Sequence, residues 1–185
     1  MKKILYLIFI SNILLYSCTK KDNTATANNA LGNYSSAIQL NKGSYWVYDN
    51  GDSVWMSNDT VIKGITYRIR RATRLPEELL RDSSGFIISY NEGDYIFSAT
   101  KLKDTIWKMG SNYSVMTSPN TMTTVPAGTF KSVANRCDFS ITFYQFTERD
   151  YSPGIGIIRQ KIDFETGGAP GGKIWEEKLV RYKIQ

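Results

Sequence analysis

The residues with chemical reach in this 185-residue chain are paired carboxylates, two cysteines and four tryptophans, and histidine is absent. Asp163 with Glu165, Glu148 with Asp150, and Glu92 with Asp94 each stand two apart. On a strand that spacing puts both side chains on one face. Two carboxyls about 5–10 Å apart in a cleft can divide acid and base duties at a glycosidic bond. These pairs flank turns, where exposed acids are ordinary, and they read as surface. Without histidine there is no Ser-His-Asp triad, no Cys-His pair and no histidine-ligated zinc. Cys137 has Arg136 beside it to favour a thiolate and Asp138 to oppose one, and it reads as a small, semi-buried strand residue. The Asn-, Asp- and Gly-containing turns lack EF-hand spacing, and the glycine-rich run at 167–172 lacks the Lys-Ser/Thr of a phosphate loop. The expectation is a non-enzyme with no catalytic residue, no metal and no cofactor.

Binding is the other route to function. Trp46, Trp55, Trp107 and Trp175 are core residues by default. Exposed in a row, they would stack on sugar rings, and they are the candidate binding residues. Lys and Arg number 23 against 17 acids, a net charge of +6 to which Lys2 and Lys3 contribute. The densest basic patch, Arg68, Arg70, Arg71 and Arg74, reads as solvated strand edge, with anionic lipid or polysaccharide as the alternative contact. No nucleic-acid module is present and no nucleic-acid partner is expected.

Strands must position these side chains, because from Tyr34 onward the apolar period is two. Asn50-Gly51 between Tyr45-Trp46-Val47-Tyr48-Asp49 and Asp52-Ser53-Val54-Trp55-Met56 predicts a tight hairpin, since Asn-Gly accepts positive φ at both centres of a type I′ turn. A two-residue loop would face Asp49 with Asp52, Val47 with Val54 and Trp46 with Trp55. Facing aspartates would point into water or hold a cation. Further turns are expected at Lys63-Gly64, at 82–85 and at 91–94, with strands at 60–62, 65–69, 86–90 and 95–97. Short strands follow at 105–108, 113–116 and 122–125, then an alternating one at 139–144. A long terminal hairpin joins 156–164 to 174–184 around the 167–172 tip. The helical candidates are 75–80, with Pro76 at its start, and 30–40.

The N-terminus has its own logic. Lys2 and Lys3 precede an apolar run at 4–15, interrupted by Ser11 and Asn12. That run is short of the roughly 20 apolar residues a spanning helix needs, and it matches the signal-peptide pattern. It ends in Leu15-Tyr16-Ser17-Cys18, which resembles the lipobox of bacterial lipoproteins. The resemblance implies cleavage before Cys18 and a thioether-linked diacylglycerol on its thiol, a palmitate-type lipidation. The Thr-, Ala- and Asn-rich stretch that follows has almost no large apolar residue and reads as a tether. The division is a signal peptide at 1–17, the lipidated cysteine and tether at 18–39, and one β-rich domain at 40–185.

Thr124-Val125-Pro126-Ala127-Gly128-Thr129-Phe130-Lys131 and Tyr151-Ser152-Pro153-Gly154-Ile155-Gly156-Ile157-Ile158 look familiar together with the Tyr45 and Val61 strands. They resemble small uncharacterised Bacteroidota-type outer-membrane lipoproteins over most of the mature chain. The layout is similar to that of half-barrel lipoprotein carrier and sorting proteins, whose curved sheet covers an apolar cavity closed by helices. The fold class expected is mainly β, a single antiparallel sandwich or curved half-open barrel with little helix. The function expected is a non-catalytic binding or scaffolding domain, anchored through Cys18 in the cell envelope. The outer membrane is its expected location, with either leaflet open. Its partner would be an apolar ligand or an envelope lipoprotein on the concave face. The alternative is a surface glycan-binding accessory protein using exposed aromatics.

Overall fold

Alternation of apolar and polar residues makes strands of most of the chain. The computed structural model describes residues 34–90, 95–117, 119–139, 144–164 and 173–185. The expected signal peptide, Cys18 and most of the expected tether lie outside these residues. So do Glu92, Asp94, Glu165, the 167–172 tip and most of the strand expected at 139–144.

The first hairpin joins β1 (Tyr45–Tyr48) to β2 (Ser53–Ile62) and corrects the expected register. Tyr45 pairs with Trp55, Trp46 with Val54 and Val47 with Ser53. Tyr48 N donates to Asp52 O at 2.9 Å, so the loop holds three residues rather than two. Gly51 has φ 82°, whereas Asn50 is not left-handed, which rules out the type I′ turn that Asn-Gly suggested. The Asn50 side chain is occupied instead, its Oδ1 accepting from Asp52 N at 2.8 Å. A one-residue slip exchanges faces. Trp46 is therefore buried while Trp55 lies on the opposite, outer face. Asp52 is buried and Asp49 exposed, so the two do not face each other across a cation.

The two-residue turn comes one hairpin later. Lys63 (φ 50°) and Gly64 (φ 77°) join β2 to β3 (Ile65–Ala72), with Ile62 paired to Ile65. Ser84 and Gly85 repeat the device between β4 (Glu78–Ser83) and β5 (Phe86–Ser89), as expected at 82–85. The helical turn expected at 75–80 does not form. Glu78, Leu79 and Leu80 open β4 and pair with Arg70, Ile69 and Arg68. That register sets Glu78 opposite Arg70, an ion pair that a helix would have prevented. The other helical candidate, 30–40, contributes one 3₁₀ turn, Tyr34–Ala37.

The remaining strands are β6 (Tyr95–Ser98), β7 (Thr105–Met109), β8 (Asn112–Met116), β9 (Thr121–Val125), β10 (Gly128–Asp138), β11 (Tyr144–Ser152), β12 (Gly156–Phe164) and β13 (Lys173–Lys183). All pairings are antiparallel, in the order β6-β5-β4-β3-β2-β1-β13-β12-β11-β10-β8-β7. β10 is long enough to take β9 along its first half and β8 along its second. The sheet curls until its edges approach: Ser114 Oγ on β8 donates to Tyr95 O on β6 at 3.2 Å, and Tyr151 OH reaches Ile96 O at 3.3 Å. The result is a nearly closed barrel, which decides the sandwich-or-barrel alternative.

The Tyr34–Ala37 turn caps one end. Tyr34 is fully buried; its hydroxyl donates to Ser132 O at 3.1 Å and accepts from Asn120 N at 2.8 Å. Gly154 N donates to Ser36 O at 3.0 Å, tying the cap to the β11–β12 turn. Below it, Trp46, Val54, Phe97, Tyr151, Ile158 and Leu179 fill the lumen. Burial of each of the aliphatic ones, Val54, Ile158 and Leu179, contributes about 1.5–3 kcal/mol.

Candidate functional site

Strand register carries polar residues into the lumen as a belt. Glu177 on β13 pairs with Gln160 on β12, Gln160 with Arg149 on β11, and Arg149 with Asn135 on β10. Paired residues share a face, so these four point inward side by side. Opposite them Arg70 and Glu78 come from β3 and β4. Arg70 Nη1 meets Glu78 Oε2 at 2.8 Å, and Arg149 Nη2 meets Glu78 Oε1 at 3.1 Å, an ion pair that spans the lumen. Arg149 Nε also donates to Gln160 Oε1 at 3.3 Å. Asn50 Nδ2 donates to Glu177 Oε2 at 3.1 Å. The Asp52 Oδ1 accepts from Ser53 N at 2.8 Å, from Thr73 N at 3.0 Å and from Thr73 Oγ1.

The two glutamates sit in different fields. Burial pushes the Glu78 carboxyl up, but the guanidiniums of Arg149 and Arg70 outweigh it and hold the group below the usual carboxylate range. Burial pushes Glu177 up to about 7, with Arg70 and the Asn50 hydrogen bond only partly opposing it and Asp52 adding to it. Burial also raises the Tyr48 hydroxyl, and raises that of Tyr151 to about 12. Glu177 Oε1, Asp52 Oδ2 and Arg70 Nη2 are buried with no protein partner.

Between this belt and the cap lies a cavity of about 30 Å³, lined by Leu40, Tyr48, Arg70, Glu78, Leu80 and Tyr151 among others. That is room for a water or two. Pockets for small organic ligands run to roughly 300–1,000 Å³. Among the described residues the concave face is thus largely occupied by its own side chains, an arrangement suited to holding the barrel shut.

The residues singled out in the sequence are scattered by the fold. Trp46 is buried and donates Nε1 to Ile155 O at 2.7 Å. Trp175 shares the inward face of β13 with Glu177, while Trp55 faces outward and Trp107 lies half-buried on β7. They do not form one exposed row. Glu148 and Asp150 share a face as expected, but both engage Arg159, at 3.3 Å for Glu148. Cys137 is buried and its thiol donates to Asn135 Oδ1 at 3.4 Å. Of the basic patch, Arg68 pairs with Asp59, Arg70 with Glu78 and Arg71 with Glu77. Among the described residues no cluster of three acids or cysteines forms a metal site.

Arg70, Glu78, Arg149, Gln160 and Glu177 went unrecognised as a group in the sequence. A signal was present: Glu177 stands between Trp175 and Leu179 at inward positions of one strand, a charge where the pattern calls for an apolar residue.

No family model matches the chain, and no curated protein matches it. Among solved structures, a protein described as exported and with a YmcC-like fold, from Bacteroides fragilis, superposes with a TM-score of 0.46 at 11% identity. The match covers 78% of this chain and 97% of that one. A protein described as a lipoprotein, from Parabacteroides distasonis, gives 0.43 at 10% identity, over 80% and 98%.

Proposed function

We propose that the chain is an envelope lipoprotein, anchored through Cys18, whose barrel is a non-catalytic binding or scaffolding module working through its outer surface. The observation that carries this reading is the filled lumen. The Arg149–Glu78–Arg70 pairs cross it, and the cavity left beside them is an order of magnitude below ligand size. An apolar ligand held within the barrel, one of the sequence expectations, therefore gives way to partners met outside. The carboxylates Glu148 and Asp150 are committed to Arg159, which supports a non-catalytic role for them.

Two measurements test this. Acyl labelling of the protein should disappear in Cys18→Ser, with release from membranes; labelling that persists would sink the anchor. Native mass spectrometry should find the barrel without a stoichiometric apolar adduct beyond the Cys18 lipid. A bound lipid at one per barrel would overturn the filled-lumen reading.

A second reading has its own observation. Tyr45 and Trp55 are cross-strand partners on the outer face, with Tyr45 exposed and flanked by Lys183, and Trp55 beside Arg71. Such a pair suits stacking against a sugar ring. Oligosaccharide should then quench tryptophan emission in the wild type but not in Trp55→Phe; no quenching by any envelope glycan would remove this reading.

A further inference from the structure

We propose that the tip of the β2–β3 hairpin is a membrane-contact element that dips into the bilayer holding the Cys18 anchor, an inference that rests on the anchored reading. Beyond Met56, whose carbonyl accepts from Gly43 N at 2.9 Å, β2 runs past the start of β1 and pairs with β3 alone among the described strands. The projecting part carries Asp59 to Ile62 opposite Ile65 to Arg68. Its tip is apolar on both faces. Val61, opposite Thr66, is 65% exposed, and Ile65, opposite Ile62 on the other face, is 44% exposed. On the Ile62–Ile65 face the base of the projection is covered, with Tyr67 buried and edge-on to Tyr90 at 5.3 Å; beyond it Val61 and Ile65 stay open, a liability unless something covers them.

The position of the tip says what covers it. It projects from the capped end, where the chain enters at Tyr34 and where Ser44 N and Gly43 N bond beside the start of β1. The segment between Cys18 and Tyr34 reaches about 58 Å at most when extended, so an anchor on Cys18 joins the domain at this end and holds it within reach of the lipid surface. The charges agree. Lys63 at the tip and Lys42, Lys101 and Lys183 around the same end are exposed, against Asp82 and Asp104. Asp59 is paired with Arg68. A basic rim around an apolar tip matches an anionic bilayer surface, where headgroups meet lysines and aliphatic side chains enter the acyl boundary.

The test uses the full-length protein as exported by the cell, reconstituted in vesicles of phosphatidylglycerol and phosphatidylcholine. A nitroxide is placed by Val61→Cys at the tip or by Met109→Cys at the opposite end. The inference expects the label at 61 to be shielded from a water-soluble nickel chelate and open to oxygen, with the label at 109 in water. Ile65→Asp added to Val61→Cys should return the tip label to water while circular dichroism stays unchanged. A label at 61 as water-exposed as that at 109 overturns the inference. Acyl labelling of Cys18 is scored on the same samples. A shielded tip with unlabelled Cys18 would sink the anchor and keep the hairpin, whereas a labelled Cys18 with a wet tip would do the reverse.

Discussion

Glu78 and Glu177 face the same lumen, and the surroundings of the two differ in pairing more than in burial. Glu78 has a guanidinium on each oxygen, Arg70 on one and Arg149 on the other. Glu177 has Asn50 on one oxygen, no protein partner on the other, and Asp52 adding negative field. Inside a low-dielectric core it is pairing that decides whether a carboxyl stays charged. The Glu78 side of the belt is an ionic clamp across the barrel; the Glu177 side holds a group that is half-protonated near neutrality.

Breaking the clamp should have the largest effect. Glu78→Ala leaves two buried guanidiniums short of their shared partner and should cost about 3–5 kcal/mol in urea unfolding. A loss under about 1 kcal/mol would mean the belt is hydrated. Leu179→Ala, a cavity in the apolar part of the same lumen, should cost about 2–5 kcal/mol. Its cost should not vary with pH, which separates packing from charge.

Glu177→Gln acts with the opposite pH dependence to loss of Glu78. The native carboxyl, raised from 4.5 to about 7, holds its proton longer than the unfolded one. Stability from this group is therefore full below about pH 4.5, falls as pH rises towards 7, and levels off above. The Gln variant should be more stable than wild type at pH 8, by about 1–3 kcal/mol, and no more stable at pH 4. Glu78 runs the other way: its lowered value makes its contribution present above pH 4.5 and lost as pH falls through the native value. A Gln variant that is less stable at pH 8 than at pH 4, relative to wild type, would reverse the assignment. At the small end, Arg71→Ala removes an exposed pair with Glu77 and should change stability by less than about 1 kcal/mol.

Period-two alternation and turn residues located most of the strands, and Lys63-Gly64 and Ser84-Gly85 formed two-residue turns at the expected places. Asn50-Gly51 carried the stronger turn signal and yet gave a three-residue loop, because burying Trp46 with Val54 and Tyr48 with Asp52 demands that register. Residues 75–80 had a helix-start proline and no strand alternation, so the pairing of Glu78 with Arg70, a contact between neighbouring strands, overrode a local signal. The belt was harder still. Arg149 and Glu78 are 71 residues apart in the chain, and only closure of the sheet makes them neighbours. Local patterns report which face a residue takes, not what it meets across a lumen.

The lumen is a packed core crossed by an ionic clamp, and the cavity beside that clamp, about 30 Å³, is below the size of ordinary ligands. Carbon-13 titration of the glutamate side-chain carboxyls, assigned with Glu78→Gln and Glu177→Gln, reads this state of the lumen. A packed, clamped lumen gives a midpoint near 7 for Glu177 and one below the ordinary glutamate value for Glu78. Two midpoints together near 4.3, the value of a solvated glutamate, would contradict it. They would show a water-filled barrel and return the lumen to contention as a binding chamber.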